Sequence, residues 1–497
     1  MADVAERVGE PGTMRARRGA ALALAAFSVL ASCAAPRSAA DESADAARRP
    51  RLRLTAVRLD PVLEDLERRT FSFFWETANP GNGLVPDRWP RESFCSVAAV
   101  GFGLTAIPIG VERGWITREE GAARARTTLD FLLAAPQGPE PTGVIGYRGL
   151  FYHFLDMGTG ARFLQVELST IDTALLMAGV LTSGAYFDRD QPVEAAIRSA
   201  ADALYRRVDW AWACPQPPLI NMGWKPEGGF DASDWHGYDE AMILYILALG
   251  SPTHPIDGEA WRQWTATYVW AEWYGAGHVD FPPLFGHQFS HIWIDFRGIQ
   301  DDYMRGRGID YFENSRRAVL AQRAYAIANP EGWAGYGADV WGVTACDGPA
   351  DVTLDYNGWP RVFHSYAGRG VGARFRIDDG TIAPMGAAAS LPFAPEVVIP
   401  AVHAMKERYG AWLYSTYGFY DAFNPTFTFD VSPALGRIVP GAGWFDTDYL
   451  GIDQGPIVAM VENYRSGLVW RLFRNQPYVV TGLRRAGFSG GWLDAAP

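Results

Sequence analysis

The chain has 497 residues, 48% of them apolar and 20% charged, and a formal net charge of −12. The acidic balance and the scatter of the arginines exclude a nucleic-acid partner held by a basic patch. The apolar content excludes a disordered chain, and about 440 residues beyond the N-terminal segment can bury a large core as one big domain or two fused ones.

At the N-terminus, Arg15, Arg17 and Arg18 precede an apolar run from Ala20 to Ala31. A basic stretch, a short apolar stretch and small residues in that order predict an export signal. The run is too short to remain as a spanning helix. Leu30-Ala31-Ser32-Cys33 resembles a bacterial lipobox. Residues 1–33 then read as a lipoprotein signal, with Cys33 lipidated and residues 34–58 forming a flexible tether. The alternative is a plain secretory signal cut near Ala35. Either way the expected product is an exported, periplasmic, monomeric protein, anchored to a membrane if Cys33 carries lipid. Cys95, Cys214 and Cys346 are left, and their spacing selects no disulfide pair.

From residue 59 the chain reads as helices. Val62, Leu63, Leu66, Phe71 and Phe74 give 59–76 an apolar stripe at helical spacing. Residues 96–113 are apolar nearly all round, and Thr117-x-x-Glu120 opens a helix to about 134. Residues 168–183 are again apolar all round, while 192–208 are amphipathic. Further helices are predicted over 238–249, 259–274, 313–328, 395–409 and 454–473. Gly and Pro collect in long loops between them, and short β pieces fit 372–377 and 381–385. Amphipathic helices alternating with fully apolar ones fit two concentric rings, with 96–113, 168–183, 238–249 and 454–473 inside. The fold class is all-α, an α/α toroid with long loops and minor β pieces. The lack of βαβ alternation excludes a doubly wound sheet.

Three acidic places stand out. Glu167 precedes the 168–183 helix and Asp172 lies in its first turns. Asp239 and Glu240 begin the 238–249 helix, where the helix dipole favours acids at about 0.3–1 kcal/mol. Glu240 leads directly into apolar residues, and desolvation there raises a carboxyl pKa, as a general acid requires. Asp421 sits in an aromatic loop with Tyr417. A glycosidase needs two carboxyls flanking one bond. Glu240 is therefore read as the acid. Asp421, Glu167 and Asp172 are candidates for the base, with Asp421 first because an exposed loop can hold a water.

Residues 284–323 concentrate polar groups and aromatics without a helical or strand period. His287, Gln288, His291, Trp293, Asp295, Arg297, Asp310, Tyr311, Glu313 and Arg317 suit a sugar, with planar donors beside rings, and the segment is expected over the mouth of the barrel. The other reading is a charged loop of Arg–Asp pairs that ties the fold together. His287-x-x-x-His291 has zincin spacing, but Gln288 stands where a Glu is needed, so no metal site is expected. Tryptophans on predicted loops, including Trp212, Trp224, Trp333 and Trp359, suit stacking on sugar faces.

Gln165–Leu176, Tyr238–Met242, Phe285–Arg297 and Asp310–Ala318 resemble, in collinear order, the bacterial glycoamylase-like family. That family includes the β-1,2-glucanases of glycoside hydrolase family 144 and the C-terminal domain of cyclic β-1,2-glucan synthases. The resemblance covers roughly residues 58–490. It implies an (α/α)6 barrel catalytic domain over 59–490, a metal-independent glycosidase without cofactors, and a β-1,2-linked glucan substrate. Family 144 implies inversion, whereas the synthase-associated relatives retain configuration and transfer glycosyl groups. Two other readings stay open. One is a polysaccharide lyase using His287, His291 and Tyr303. The other is a non-catalytic carbohydrate-binding lipoprotein.

Overall fold

The computed structural model describes residues 56–495. The expected signal, Cys33 and residues 34–55 of the expected tether lie outside them. The described residues belong to one compact unit.

The helices alternate between two rings. In chain order the outer members are α1 (Pro61–Thr77), α3 (Arg118–Ala134), α5 (Pro192–Arg207), α7 (Glu259–Ala266), α10 (Tyr311–Ala328) and α12 (Pro395–Tyr409). The inner members are α2 (Val97–Glu112), α4 (Thr170–Tyr186), α6 (Met242–Gly250), α8 (Phe289–Trp293), α11 (Pro384–Ala388) and α13 (Gly451–Arg465). A short helix, α9 (Asp302–Arg307), precedes α10, and α14 (Leu468–Arg474), α15 (Pro477–Arg485) and α16 (Gly491–Asp494) follow α13. Inner helices touch in the order α2, α4, α6, α8 and in the order α11, α13, α2, and α8 also touches α13. The short α8–α11 side is closed by Gln288, whose Nε2 donates to Gly386 O and Ser390 Oγ at 2.8 Å each. This is the (α/α)6 toroid.

Sequence explains the sorting. Every residue of α6 is buried, and α2 is buried from Val97 to Gly110. Each fully buried Leu or Ile contributes about 1.5–3 kcal/mol, as an upper figure. In α5 the buried residues Ile197, Ala200, Ala201, Leu204 and Tyr205 recur at helical spacing on one face. Gly101 and Gly179 let α2 and α4 touch backbone to backbone. A Cβ on Gly179 would lie 2.0 Å from Gly101 O.

The toroid has a closed end. Beyond α13 the chain turns at Gly467 (φ 67), which splits the predicted 454–473 helix into α13 and α14. The α14 helix packs against α4, α8 and α13. Asn463 Nδ2 donates to Ile292 O (2.8 Å), Trp470 Nε1 to His291 O (2.7 Å) and Arg485 Nη1 to Leu249 O (2.7 Å). These bonds satisfy carbonyls that the inner helices leave open at their C-terminal ends.

Further predicted elements differ, among them the β piece expected over 381–385, which runs into α11 at Pro384. The 259–274 helix stops at Ala266, and Trp270–Trp273 pairs antiparallel with Ala276–Val279. Tyr274 and Gly275 turn between them, both at positive φ (47° and 76°). Aromatic, β-favouring residues beside such a turn override the helical spacing. The 285–317 segment is not a loop over the mouth. It forms a 3-10 turn over Leu284–His287, then α8, α9 and the start of α10. The β pieces are short. A hairpin of Val352–Tyr356 with Trp359–Phe363 turns through Asn357-Gly358, and a five-stranded sheet runs from Gly146 to Phe230. Cys95, Cys214 and Cys346 are all buried and free.

Candidate active site

The N-terminal ends of the six inner helices converge on one cavity of about 510 Å³. Its wall takes Ser96 from before α2, Asp172 and Leu175 from α4, and Glu240 from the turn before α6. Phe285 and Phe289 come from the α8 side, Met385 from α11, and Ile452 and Asp453 from the first turn of α13. Helix N-termini carry positive partial charge and suit carboxylates and anionic character. Two short strand pairs align the entries. Arg88–Trp89 with Tyr449–Leu450 leads into α13, and Cys95–Ser96 with Phe154–Leu155 leads into α2.

Five carboxyls line the cavity. Two of them are Glu240 and Asp172. Glu240 is held by its own chain turn; Ser290 Oγ donates to its carbonyl (2.8 Å) and accepts from Ile243 N (3.0 Å). The side chain is open to the cavity yet surrounded by protein. Burial, helped by the nearby Asp172, pushes its carboxyl up to about 7. Ser169 caps α4 and donates its hydroxyl to Asp172. His153 lies between Asp172 (Nε2 to Oδ2, 3.6 Å) and Glu167 (Nδ1 to Oε1, 2.7 Å). Burial opposes the charge on this imidazole, but the two carboxylates outweigh it and push His153 up to about 9. The bond to His153 holds Glu167 down at about 2.

The others are Asp453, Asp347 and Asp87, and Arg88 lines the cavity with them. Arg88 Nη1 bonds Asp347 Oδ2 at 2.7 Å. Asp421 stands behind them, buried, accepting from Asp347 N at 2.7 Å. Burial and the charge of Asp453 push Asp421 far above the usual carboxylate range. Asp453 is itself pushed up to about 7 by burial and by Asp347, against its hydrogen bond with Asp421. Of this pair, Asp453 is the one that lines the cavity. Oxygens of Asp347, Asp421 and Asp446 lie within 4.8 Å of one another, the set among the described residues close enough to share a cation. Arg88 already offsets part of their charge. Glu240, from the turn before α6, and Asp453, from the first turn of α13, line the same cavity.

Glu240 and Asp172 are where the sequence places them. Glu167 acts on the cavity only through His153. Asp421 is not in an exposed loop and does not line the cavity, because strands bury it behind Asp453. Asp239 accepts from Ala241 N (2.9 Å) and lines a separate cavity of about 380 Å³.

The polar run after 285 is framework rather than groove lining. His287, Gln288, His291 and Trp293 are fully buried. His287 Nε2 meets Phe281 O at 3.1 Å, His291 Nε2 meets Ser315 Oγ at 3.1 Å, and Trp293 Nε1 donates to Thr105 Oγ1 at 3.1 Å. Burial holds His291 down at about 3, so it is neutral. Asp295 pairs with Arg297 (2.7 Å) and Arg474, and Arg297 lies over the Trp470 ring at 4.1 Å. Asp310 caps α10, Tyr311 donates to Asp301 (3.0 Å), and Glu313 pairs with Arg317 (2.8 Å). Tyr417 donates to Glu76 at 3.1 Å. Because α8 is only five residues long, side chains complete this part of the ring, and buried backbone groups there need polar partners. No tryptophan lines the main cavity; Phe94, Phe154, Phe285, Phe289 and Tyr366 are its aromatic rings. Sequence reasoning passed over Asp453, although Gly451-Ile-Asp453-Gln shows the signal that identified Glu240, an acid at the start of a largely apolar helix.

Residues 232–477 match the Glycoamylase family, described as "Putative glucoamylase". An exo beta-1,2-glucooligosaccharide sophorohydrolase (non-reducing end) of Parabacteroides distasonis is 29% identical over 460 residues. That alignment takes in 86% of this chain and 58% of the relative, so the chain spans under two thirds of that protein's length. An endo-beta-1,2-glucanase from Chitinophaga pinensis, solved with sophorotriose and glucose, has TM-score 0.74 and 29% identity over 88% of this chain and 100% of that one. A "putative glucoamylase" from Bacteroides uniformis has TM-score 0.73 and 31% identity over 88% of this chain and 99% of its own. By fold, by the placing of its motifs and by these matches, the chain belongs to the glycoamylase-like family.

Proposed function

We propose that the protein is a glycoside hydrolase that cleaves β-1,2-linked glucan with inversion. The observation that carries this is Glu240, a cavity carboxyl raised to about 7, in one cavity with Asp453. Glu240 gives its proton to the leaving glycosidic oxygen. Asp453, favoured as the carboxylate by its hydrogen bond with Asp421, takes a proton from the attacking water. An inverting enzyme holds its carboxyls about 6.5–9.5 Å apart to admit that water. Asp172 and Arg88 hold sugar hydroxyls, and the cavity phenylalanines take the C–H faces of the rings. The β-1,2 linkage is supported by the relatives from Parabacteroides and Chitinophaga, whose names state it.

The test is product analysis on linear β-1,2-glucan. The proposal expects new reducing ends released first as the α-anomer. Retention would replace inversion by a covalent route. An unsaturated, ultraviolet-absorbing product would mean a lyase, and binding without cleavage a carbohydrate-binding protein. Location is proposed with it: Leu30-Ala31-Ser32-Cys33 supports export and lipidation. Changing Cys33 to Ala should move the protein out of the membrane fraction; a wild type with no lipid-dependent membrane fraction would refute the anchor.

A further inference from the structure

The catalytic cavity does not end at Phe94. A second cavity of about 670 Å³ shares Arg88 and Phe94 with it and continues along Arg91, Ser93, Phe163 and Leu435. Three rings run from one cavity to the other. Phe154 lines the first cavity, Phe94 lines both, and Phe163 lines the second. The Phe94 ring lies 4.3 Å from Phe154 and 4.7 Å from Phe163, each tilted. The three come from separate segments, and all three stay partly exposed. Polar groups border the strip. Arg88 and Arg91 are both tied to Asp448 (3.4 and 2.7 Å), which fixes two guanidinium groups beside the rings. The Ser93 hydroxyl has no partner within the protein.

From this continuity we propose that the second cavity is a binding site for further sugar units of the same chain whose bond is cut in the first. The Phe154–Phe94–Phe163 strip stacks on successive sugar faces, and Arg88 and Arg91 take hydroxyls. The two cavities are of similar size, so the outer one holds a comparable length of oligosaccharide. The site therefore selects chains longer than the first cavity can hold. This rests on the glucan reading above.

The experiment compares kcat/KM along a series of β-1,2-glucooligosaccharides, from the shortest cleaved upward, for the wild type and for Phe163→Ala and Arg91→Ala. Calorimetric binding of a long oligosaccharide to Glu240→Gln protein, with and without Phe163→Ala, is measured alongside. The wild type should gain with length, and Phe163→Ala should lower the ratio of long-chain to short-chain kcat/KM by roughly 10-fold, the value of one lost apolar contact face. A wild type that cleaves short chains with no gain for longer ones overturns the second site and leaves the hydrolase reading standing. So does a loss in Phe163→Ala that is equal at every length. Long-chain binding that depends on Phe163 without any cleavage supports the second site and refutes hydrolysis. Neither binding nor cleavage refutes both.

Discussion

Changing Glu240 to Gln keeps the shape of the side chain and removes its acid. Two effects of opposite sign should follow. Loss of a general acid lowers turnover by about 10²–10⁴-fold. Stability should rise. The folded protein holds this carboxyl at about 7 against an ordinary value of 4.5. At about 1.4 kcal/mol for each tenfold change in the proton equilibrium, keeping it ionised costs the fold up to about 3 kcal/mol. Access to the cavity lessens that, and about 1–3 kcal/mol is expected. The folded state binds the proton more tightly than the unfolded chain does. The cost is therefore absent below about pH 4.5 and fully present above about pH 7. With an unfolding entropy of about 2.1 cal/mol/K per residue, a domain of this size moves by about 1 °C per kcal/mol. Scanning calorimetry of both proteins at pH 8 and at pH 4.5 reads the difference. The variant should melt about 1–3 °C higher at pH 8 and equally at pH 4.5. An equal gain at both pH values, or none at pH 8, would refute a proton held by burial. Wild-type turnover in a folded variant would refute the acid.

Asp453→Asn should lower turnover by a similar 10²–10⁴-fold, whereas Asp421→Asn should leave more activity and move the acidic limb of the pH profile; equal losses would make Asp421 the base. Because Glu240 acts protonated and Asp453 ionised, both near 7, turnover should follow a narrow bell centred near pH 7, and a plateau extending well above pH 8 would contradict it. His153, raised to about 9, stabilises the fold fully below about pH 6.5 and loses that contribution as pH climbs through about 9; in His153→Gln the decline in melting temperature over that window should vanish. Gly179→Ala should destabilise by about 1–3 kcal/mol or more in denaturant titration, since its Cβ meets Gly101 O at 2.0 Å, and a neutral result would show that α2 and α4 can part without cost.

The rings were legible because inner and outer helices differ in kind. A helix buried all round, such as 242–250, cannot be mistaken for the one-faced stripe of 192–207. Glu240 was legible for the same reason, an acid abutting uninterrupted apolar residues. Asp453 was not, because helical spacing begins the last helix at Gln454, one residue past it. His287, Gln288 and His291 misled because polarity alone does not tell a ligand contact from a buried partner of the backbone; what separates them is the length of α8, visible only in three dimensions. Asp421 misled because its aromatic neighbours are core strands rather than an open loop. The strip through Phe94 joins residues about 60 apart in the chain, and no local pattern announces such a meeting.

The packing of α14 across the C-terminal ends of the inner helices settles the traffic of the molecule. With the far end covered by Leu468–Arg474, a glucan of the proposed kind would not be drawn end-first through the barrel and released behind it. Under the proposed function it would lie across the end where the cavity is, and its fragments would leave by the side on which the chain entered. Detachment and re-engagement, rather than continuous threading, then set how far one encounter with a long polymer can go.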